Sequence, residues 1–380
     1  MMDTRGLSRR SLGRFAAASG IGALLAPAVG STALAAPAKA LPVFDRARVG
    51  TTHVLPSTPQ TVRSGAFDPS APTAIRIRSG DVVHYPNTWL HWGNKPQYGM
   101  SFAEREPIRK QYRTGPFSLV GPVEVAGAEP GDVIECRMLR LKPIDWGWNS
   151  APLGVGALPE DFDQPYLHYF RFDAARKTTQ FAPGVTVALN PIQAVIATEP
   201  KGNEPISAIL TGDYGGNLLL PELVEGTALF LPVQVTGGRL WTGDSHAAQG
   251  DGVVNQTAIE TAMEDLRIQY VLHKRVELQG PVAETATHWV MPGYAESLEH
   301  ALTLGLRRLI KWLAPASGLS PADIYSLASI AGSFRVTQYA HQLDTNYTSK
   351  PAKAVHAMLP KAIFDTSLQA RIGASVRPGA

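Results

Sequence analysis

One cysteine, Cys136, serves the whole 380-residue chain. A lone thiol closes no internal disulfide and builds no cysteine-rich zinc site. It sits in Val133-Ile134-Glu135-Cys136-Arg137-Met138-Leu139, which alternates like a strand, so it reads as buried filler rather than as a nucleophile. A G-x-S-x-G elbow, a P-loop and a dinucleotide fingerprint are all absent, which removes the α/β-hydrolase serine and leaves no case for nucleotide or flavin. Ser245 adjoins His246, but neighbours on an extended chain point apart, so the pair is not a Ser–His dyad. The only long apolar run, Phe15 to Gly30, is too short and glycine-rich for stable membrane insertion. Charge excess is missing too. Arg5, Arg9, Arg10 and Arg14 against Asp3 leave residues 1–36 at +3, the net charge of the whole chain, so the remainder is formally neutral. Nothing in that balance, and no basic cluster interleaved with aromatics, points to nucleic acid.

What is present starts with an export signal. Ser8-Arg9-Arg10-Ser11-Leu12-Gly13-Arg14-Phe15 is a twin-arginine pattern, followed by the weak apolar run and by Ala33-Leu34-Ala35 for a signal peptidase. Residues 1–36 are therefore predicted to direct the chain to the periplasm or medium, and residues 37–60 form an extended leader. Residues 61–200 read as a β-rich lobe of short strands, including Ile75-Arg76-Ile77-Arg78, Val82-Val83-His84-Tyr85 and the run around Cys136. Two Gly-Asp-Val turns, at Gly80-Asp81 and Gly131-Asp132, echo each other without making a repeat. Residues 201–380 form an α+β lobe. Its helices are predicted from Ser297 to Ala314, on a stripe of Leu298, Leu302, Leu306, Leu309 and Leu313, and from Ser320 to about Ser333. The fold class is α+β, predominantly β, with two intimately packed lobes.

Two segments hold the chemistry. Gly243-Asp244-Ser245-His246-Ala247-Ala248-Gln249-Gly250-Asp251-Gly252 is too glycine-rich for a helix and too rich in Gly and Asp for a plain strand. Thr211-Gly212-Asp213-Tyr214-Gly215-Gly216-Asn217 follows an apolar strand, and its glycines let the backbone come close to a ligand. Only the strand-like Gly226 to Val233 lies between them, so one strand and its return are predicted to bring both to one pocket. No protein nucleophile stands out among these carboxylates, imidazole and amides. An activated water is the natural agent, driven by a general base or a metal.

Taken with further stretches, these segments resemble the acetamidase/formamidase family. Gly121 to Asp132 (GPVEVAGAEPGD), Gly215-Gly216-Asn217, Leu231-Pro232-Val233, the GDSHAAQGDG run with Thr257-Ala258-Ile259-Glu260 after it, and Ala354 to Ala362 (AVHAMLPKA) fall in the family's order across residues 60–364. The resemblance implies a β-rich two-lobed fold, a homo-oligomer, and hydrolysis of a small linear amide to carboxylate and ammonia. It assigns Asp244, His246 and Asp251 to catalysis. Asp213, Gly216, Asn217 and Gln249 go to substrate binding. A divalent metal, zinc above all, would be held by Asp244 and His246, whose i, i+2 spacing puts both on one side of an extended segment.

Three positions depart from the family's pattern. Val253 stands where a Glu is usual, Leu219 where an Asp is usual, and Phe117 where a His is frequent. Asp251, Asp213, Glu222 or Glu225 could replace the missing acid, and His84 or His91 could enter from another loop. The apolar replacements favour a bulkier, less polar amide than formamide. The alternative is a non-catalytic exported member that binds a small molecule or scaffolds a partner.

Overall fold

The computed structural model describes residues 43–44, 49–339 and 347–378. The expected export signal lies outside the described residues. The described residues form two large sheets, two small two-stranded sheets and a helical layer. A nine-stranded sheet runs, edge to edge, through Thr52–Val54, Val82–Pro86, Met263–His273, Val133–Pro143, Ala228–Pro232, Val282–Glu284, His288–Ala295, Lys353–Pro360 and Ser333–Gln338. A ten-stranded sheet is built around Ile192–Ala197, Leu240–Ala248, Ile259–Thr261, Trp146–Ala151 and Ser118–Val125. Its inner strands are buried nearly throughout, which explains why they read as apolar runs rather than as alternating patterns. The boundary near residue 200 falls between strands; both sheets take members from either side of it.

The inner core lies between the sheets, where Val83, Tyr85, Met138 and Ile268 of one meet Val120, Val123, Ile196 and Leu240 of the other. Cys136 is sealed here, and burial raises its thiol pKa well above the ordinary value. The outer face of the nine-stranded sheet carries Leu298–Ser317, Pro321–Ala331 and Thr366–Val376, packed through Leu309, Trp312, Leu313, Ile324 and Ile372 onto Phe230, Trp289 and Met291. The predicted leucine stripe is only half used. Leu309 and Leu313 are buried, but Leu302 is exposed, because the helix turns Ala301 and Gly305 onto the strand at Gly293. A side chain at Gly293 would collide with the Ala301 carbonyl, so this face must be small.

The two Gly-Asp-Val turns share a task. Asp81 accepts the amide of Arg78 at 3.0 Å and Asp132 that of Glu129 at 2.9 Å, each closing a turn that launches a strand. The GDSHAAQGDG run corrects the sequence expectation. Gly243 to Ala248 complete the strand Leu240–Ala248, and the turn comes only at Gly250 to Gly252. Propensity yields because the strand is internal and a side chain at Gly243 would lie 2.6 Å from the Ser118 carbonyl.

Candidate active site

The strand between the two chemical segments is Ile192–Ala197, not the Ala228–Pro232 strand that follows in sequence, which belongs to the other sheet. Val195 pairs with Asn217 on one side and with Gly243 on the other. The Gly215–Asn217 and Leu240–Ala248 strands therefore flank one strand, and Asn217, Asp244 and His246 all line one cavity. That cavity measures about 130 Å³, the scale of one that accepts a benzene-sized ligand.

Four titratable groups meet at its floor. Asp244 and His246 project from the Leu240–Ala248 strand, with His246 Nε2 3.3 Å from Asp244 Oδ2. Glu260 arrives by register: it pairs directly with His246 across the Ile259–Thr261 strand, and its Oε2 lies 3.2 Å from His246 Nε2. His91 comes from a separate turn, where Trp92 and Gly93 adopt left-handed backbone and Leu90 N donates to Asn94 Oδ1 at 3.0 Å. Its Nε2 lies 2.7 Å from Asp244 Oδ1 and 3.3 Å from Glu260 Oε2. The rings of Trp92, Phe117 and Trp148 box the imidazole edge to face.

Burial alone would raise the Asp244 pKa, but His246 and His91 outweigh it and hold the carboxyl ionised. Burial likewise opposes charge on His246, yet Glu260 and Asp244 raise its pKa well above the ordinary 6.5, so it holds its proton. Gln249 fixes the ring. Its Nε2 donates to the Leu219 carbonyl at 2.6 Å, which turns Oε1 toward His246 Nδ1 at 2.8 Å. Nδ1 must therefore be the donor, and Nε2 is aimed at the carboxylates. Glu260 Oε2 is held only through its ion pairs with His246 and His91, and Asn217 Oδ1 makes no hydrogen bond among the described residues. A buried acceptor without a partner costs about 1–3 kcal/mol, so Asn217 Oδ1 is open to a ligand.

The predicted site residues separate into groups. Asp244, His246 and Asn217 meet in the cavity; Gln249 stands behind His246 and steadies it. Gly216, at φ +104, brings its strand against the Leu210 carbonyl, where any Cβ would lie at 2.5 Å. Asp213 points away and pairs with Arg308 at the surface. Asp251 is carried off by the turn at Gly250 to Gly252 and faces Arg335 at 3.8 Å. Glu222 joins His356 at 3.4 Å and the same Arg335 at 3.9 Å, so an arginine already supplies the cation for that second acidic group. His84 pairs with Asp265 at 3.2 Å in the other sheet.

Residues of three atom sets, His91, Asp244 and Glu260, bring donor atoms to within 4.8 Å of one another, the spacing a metal ion needs. The sequence reading named Asp244 and His246 for that task, with His91 only as a candidate entrant and Glu260 only as part of a motif. The signal for Glu260 was its place in a strand after a turn, which pairs it back onto His246. Arg105 gave no signal at all: inside Glu104-Arg105-Glu106 it reads as part of a solvated helix face.

The three departures share a location. Phe117, Leu219 and Val253 all line the cavity. Leu219 and Val253 pack with Ile192, Ala194 and Val224 into one apolar wall. Both hold left-handed backbone, at φ +50 and +43, which costs about 1–2 kcal/mol per residue. Strain of this kind gathers at functional sites.

The family model described as the acetamidase/formamidase family matches residues 67–205 and 201–366. The chain is 26% identical to an acetamidase of Mycolicibacterium smegmatis over 197 residues, 36% of this chain and 48% of that protein. It is 28% identical to a formamidase of Methylophilus methylotrophus over 189 residues, 36% of this chain and 46% of that one. The aligned part thus spans about half the length of these curated relatives. Among solved structures, an acetamidase of Bacillus halodurans superposes with a TM-score of 0.73 at 27% identity, covering 82% of this chain and 99% of the other.

Proposed function

Since the chain belongs to the acetamidase/formamidase family, we propose that it hydrolyses the C–N bond of a linear amide larger than formamide, giving a carboxylate and ammonia. The observation that carries this reading is the cavity floor, where His91, His246, Asp244 and Glu260 converge beside the unpartnered Asn217 Oδ1. The donor set fits a divalent cation. His91, Asp244 and Glu260 supply one nitrogen and two carboxylates, a mixture suited to zinc, and their donor atoms already converge on one another. Such a cation, when bound, would supply Lewis acidity for the amide carbonyl.

The other roles belong to side chains. Asn217 Oδ1 accepts an N–H of the substrate amide and so sets which end of the molecule enters. His246 Nε2 exchanges a proton with water and the leaving nitrogen, while Gln249 holds its ring. The apolar wall of Leu219 and Val253 takes the substrate's carbon chain and leaves a small polar amide such as formamide poorly held. The relatives lend no support to a non-catalytic binder.

The test is ammonia release from a series of linear amides, before and after dialysis against a chelator, with zinc added back. Ammonia and carboxylate should appear in equal amounts and rise from formamide to longer amides. Chelation should stop turnover and zinc restore it. Turnover that survives chelation would remove the cation from the reading; no ammonia from any amide, with zinc supplied, would overturn the reading itself.

A further inference from the structure

Arg105 is the one buried residue of the helix Phe102–Arg109, and it lines the cavity at 4% exposure. Its guanidinium lies 4.5 Å over the Trp148 ring, 5.2 Å from that of Trp92 and 5.8 Å from that of Tyr169. Neither Nη1 nor Nη2 makes a hydrogen bond among the described residues. The acids nearby do not serve it. Glu106 is committed to Arg109 through two bonds of 2.7 and 2.8 Å. The Tyr169 hydroxyl gives its proton to the Met100 carbonyl at 2.7 Å and offers the guanidinium only a neutral oxygen, not an anion. Glu260 pulls on the guanidinium electrostatically without bonding to it. Aromatic faces offset part of the cost of burying a cation. They leave two forked N–H donors unused, and that fork matches a carboxylate.

We propose that Arg105 binds a carboxylate at the far end of the substrate, so that the amide hydrolysed is the monoamide of a short dicarboxylic acid. The inference rests on the amidase reading and names its substrate class. One indole separates the two ends of such a molecule: the His91 ring lies 5.6 Å from that of Trp148, whose plane carries Arg105. Asn217 Oδ1 and the cluster at His91 take the amide end, and Arg105 takes the anion. In the reaction, water oxygen bonds to the amide carbon, the C–N bond breaks, and the nitrogen leaves with the protons of water. A monoanionic amide and one water become a dianion and an ammonium ion, so charge and atoms balance.

Succinamate and succinamide test this, because they have the same shape and differ in one charged terminus. The wild-type protein should prefer succinamate in kcat/KM by about 10-fold or more, the scale of a charge-assisted hydrogen bond. Arg105→Gln should cut that preference by about 10-fold, and Arg105→Lys, which keeps charge without the fork, should keep part of it. Calorimetric binding of succinate adds a readout that needs no turnover: it should be present in wild type and weakened in Arg105→Gln. Equal use of the two amides by wild type, or a preference that Arg105→Gln leaves intact, would overturn the carboxylate assignment while sparing the amidase reading. Succinate binding lost in Arg105→Gln, with no ammonia released from any amide, would support the anion site and sink the amidase reading. If Arg105→Gln fails to fold, the wild-type preference and Arg105→Lys decide.

Discussion

Among the buried clusters of acids and histidines in the described residues, the one around Glu135 and the one in the cavity are built on opposite terms. Around Glu135, fully buried in the strand Val133–Pro143, every charge faces its opposite. His273 lies 2.9 Å from Glu135, Arg137 3.0 Å and Arg377 2.7 Å. Arg377 reaches on to Glu284 at 2.6 Å, and Lys361 pairs with Glu284 as well. In the cavity, Asp244 and Glu260 face only His91 and His246, and no arginine or lysine bonds to them among the described residues. The Arg105 guanidinium lines the same cavity, and neither its Nη1 nor its Nη2 makes a hydrogen bond among the described residues. A closed network fixes strands and the C-terminal helix in place, whereas an open one leaves donors and acceptors for something that arrives.

The largest effect should come from breaking the closed cluster. Glu135→Gln removes the anion that Arg137, Arg377 and His273 share and should lower unfolding stability by about 3 kcal/mol, the lower end for a broken buried pair because Arg377 keeps Glu284, measured by denaturant titration. Acid should show the same. Burial alone would raise the Glu135 pKa, but His273, Arg377 and Arg137 hold it well below the ordinary 4.5. Its folded pKa is depressed, so its contribution is complete above pH 4.5 and drains away as pH falls toward the folded value. The variant should lose that part of the acid dependence. An unchanged melting curve would mean that the two clusters do not differ as described.

In the open cluster the order reverses, and function should suffer more than stability. His246→Ala should cut amide turnover on the order of 100-fold and, because His91 still faces both carboxylates, lower the thermal transition less than Glu135→Gln does. Turnover within severalfold of wild type would remove His246 from the chemistry. Gln249→Ala should cost less, about 10-fold in turnover, the lower end for a residue that orients another. It should also shift the pH–rate profile, because the Nδ1–H of His246 loses its acceptor. A rate loss with an unmoved profile would make Gln249 a structural support only.

Much of the scaffold was legible along the chain. The strands at Ile75–Ile77, Val82–Pro86 and Val133–Pro143 and two of the helices follow from alternation, caps and turn residues, which act over a few positions. The strand that carries Asp244 and His246 was not, because its glycines are required by a neighbour, the Ser118 carbonyl, and not by local geometry. Asp213 and Asp251 looked equivalent to Asp244 in composition. Only the turn directions send them to Arg308 and Arg335 at the surface.

By itself the sequence determined the chemistry available: one sealed thiol, no serine elbow, and an Asp and a His two residues apart whose side chains reach the same side of one strand. Tertiary structure decided the partners. His91 comes from 153 residues before Asp244, and Glu260 reaches His246 through strand register, a long-range pairing that no local pattern encodes. Arg105 has the composition of a solvated helix face, and only the packing of Trp92, Trp148 and Tyr169 over it makes it a buried, unpaired charge. Local propensity is set by neighbours in the chain; a binding site is set by which distant side chains share a space from which water is excluded.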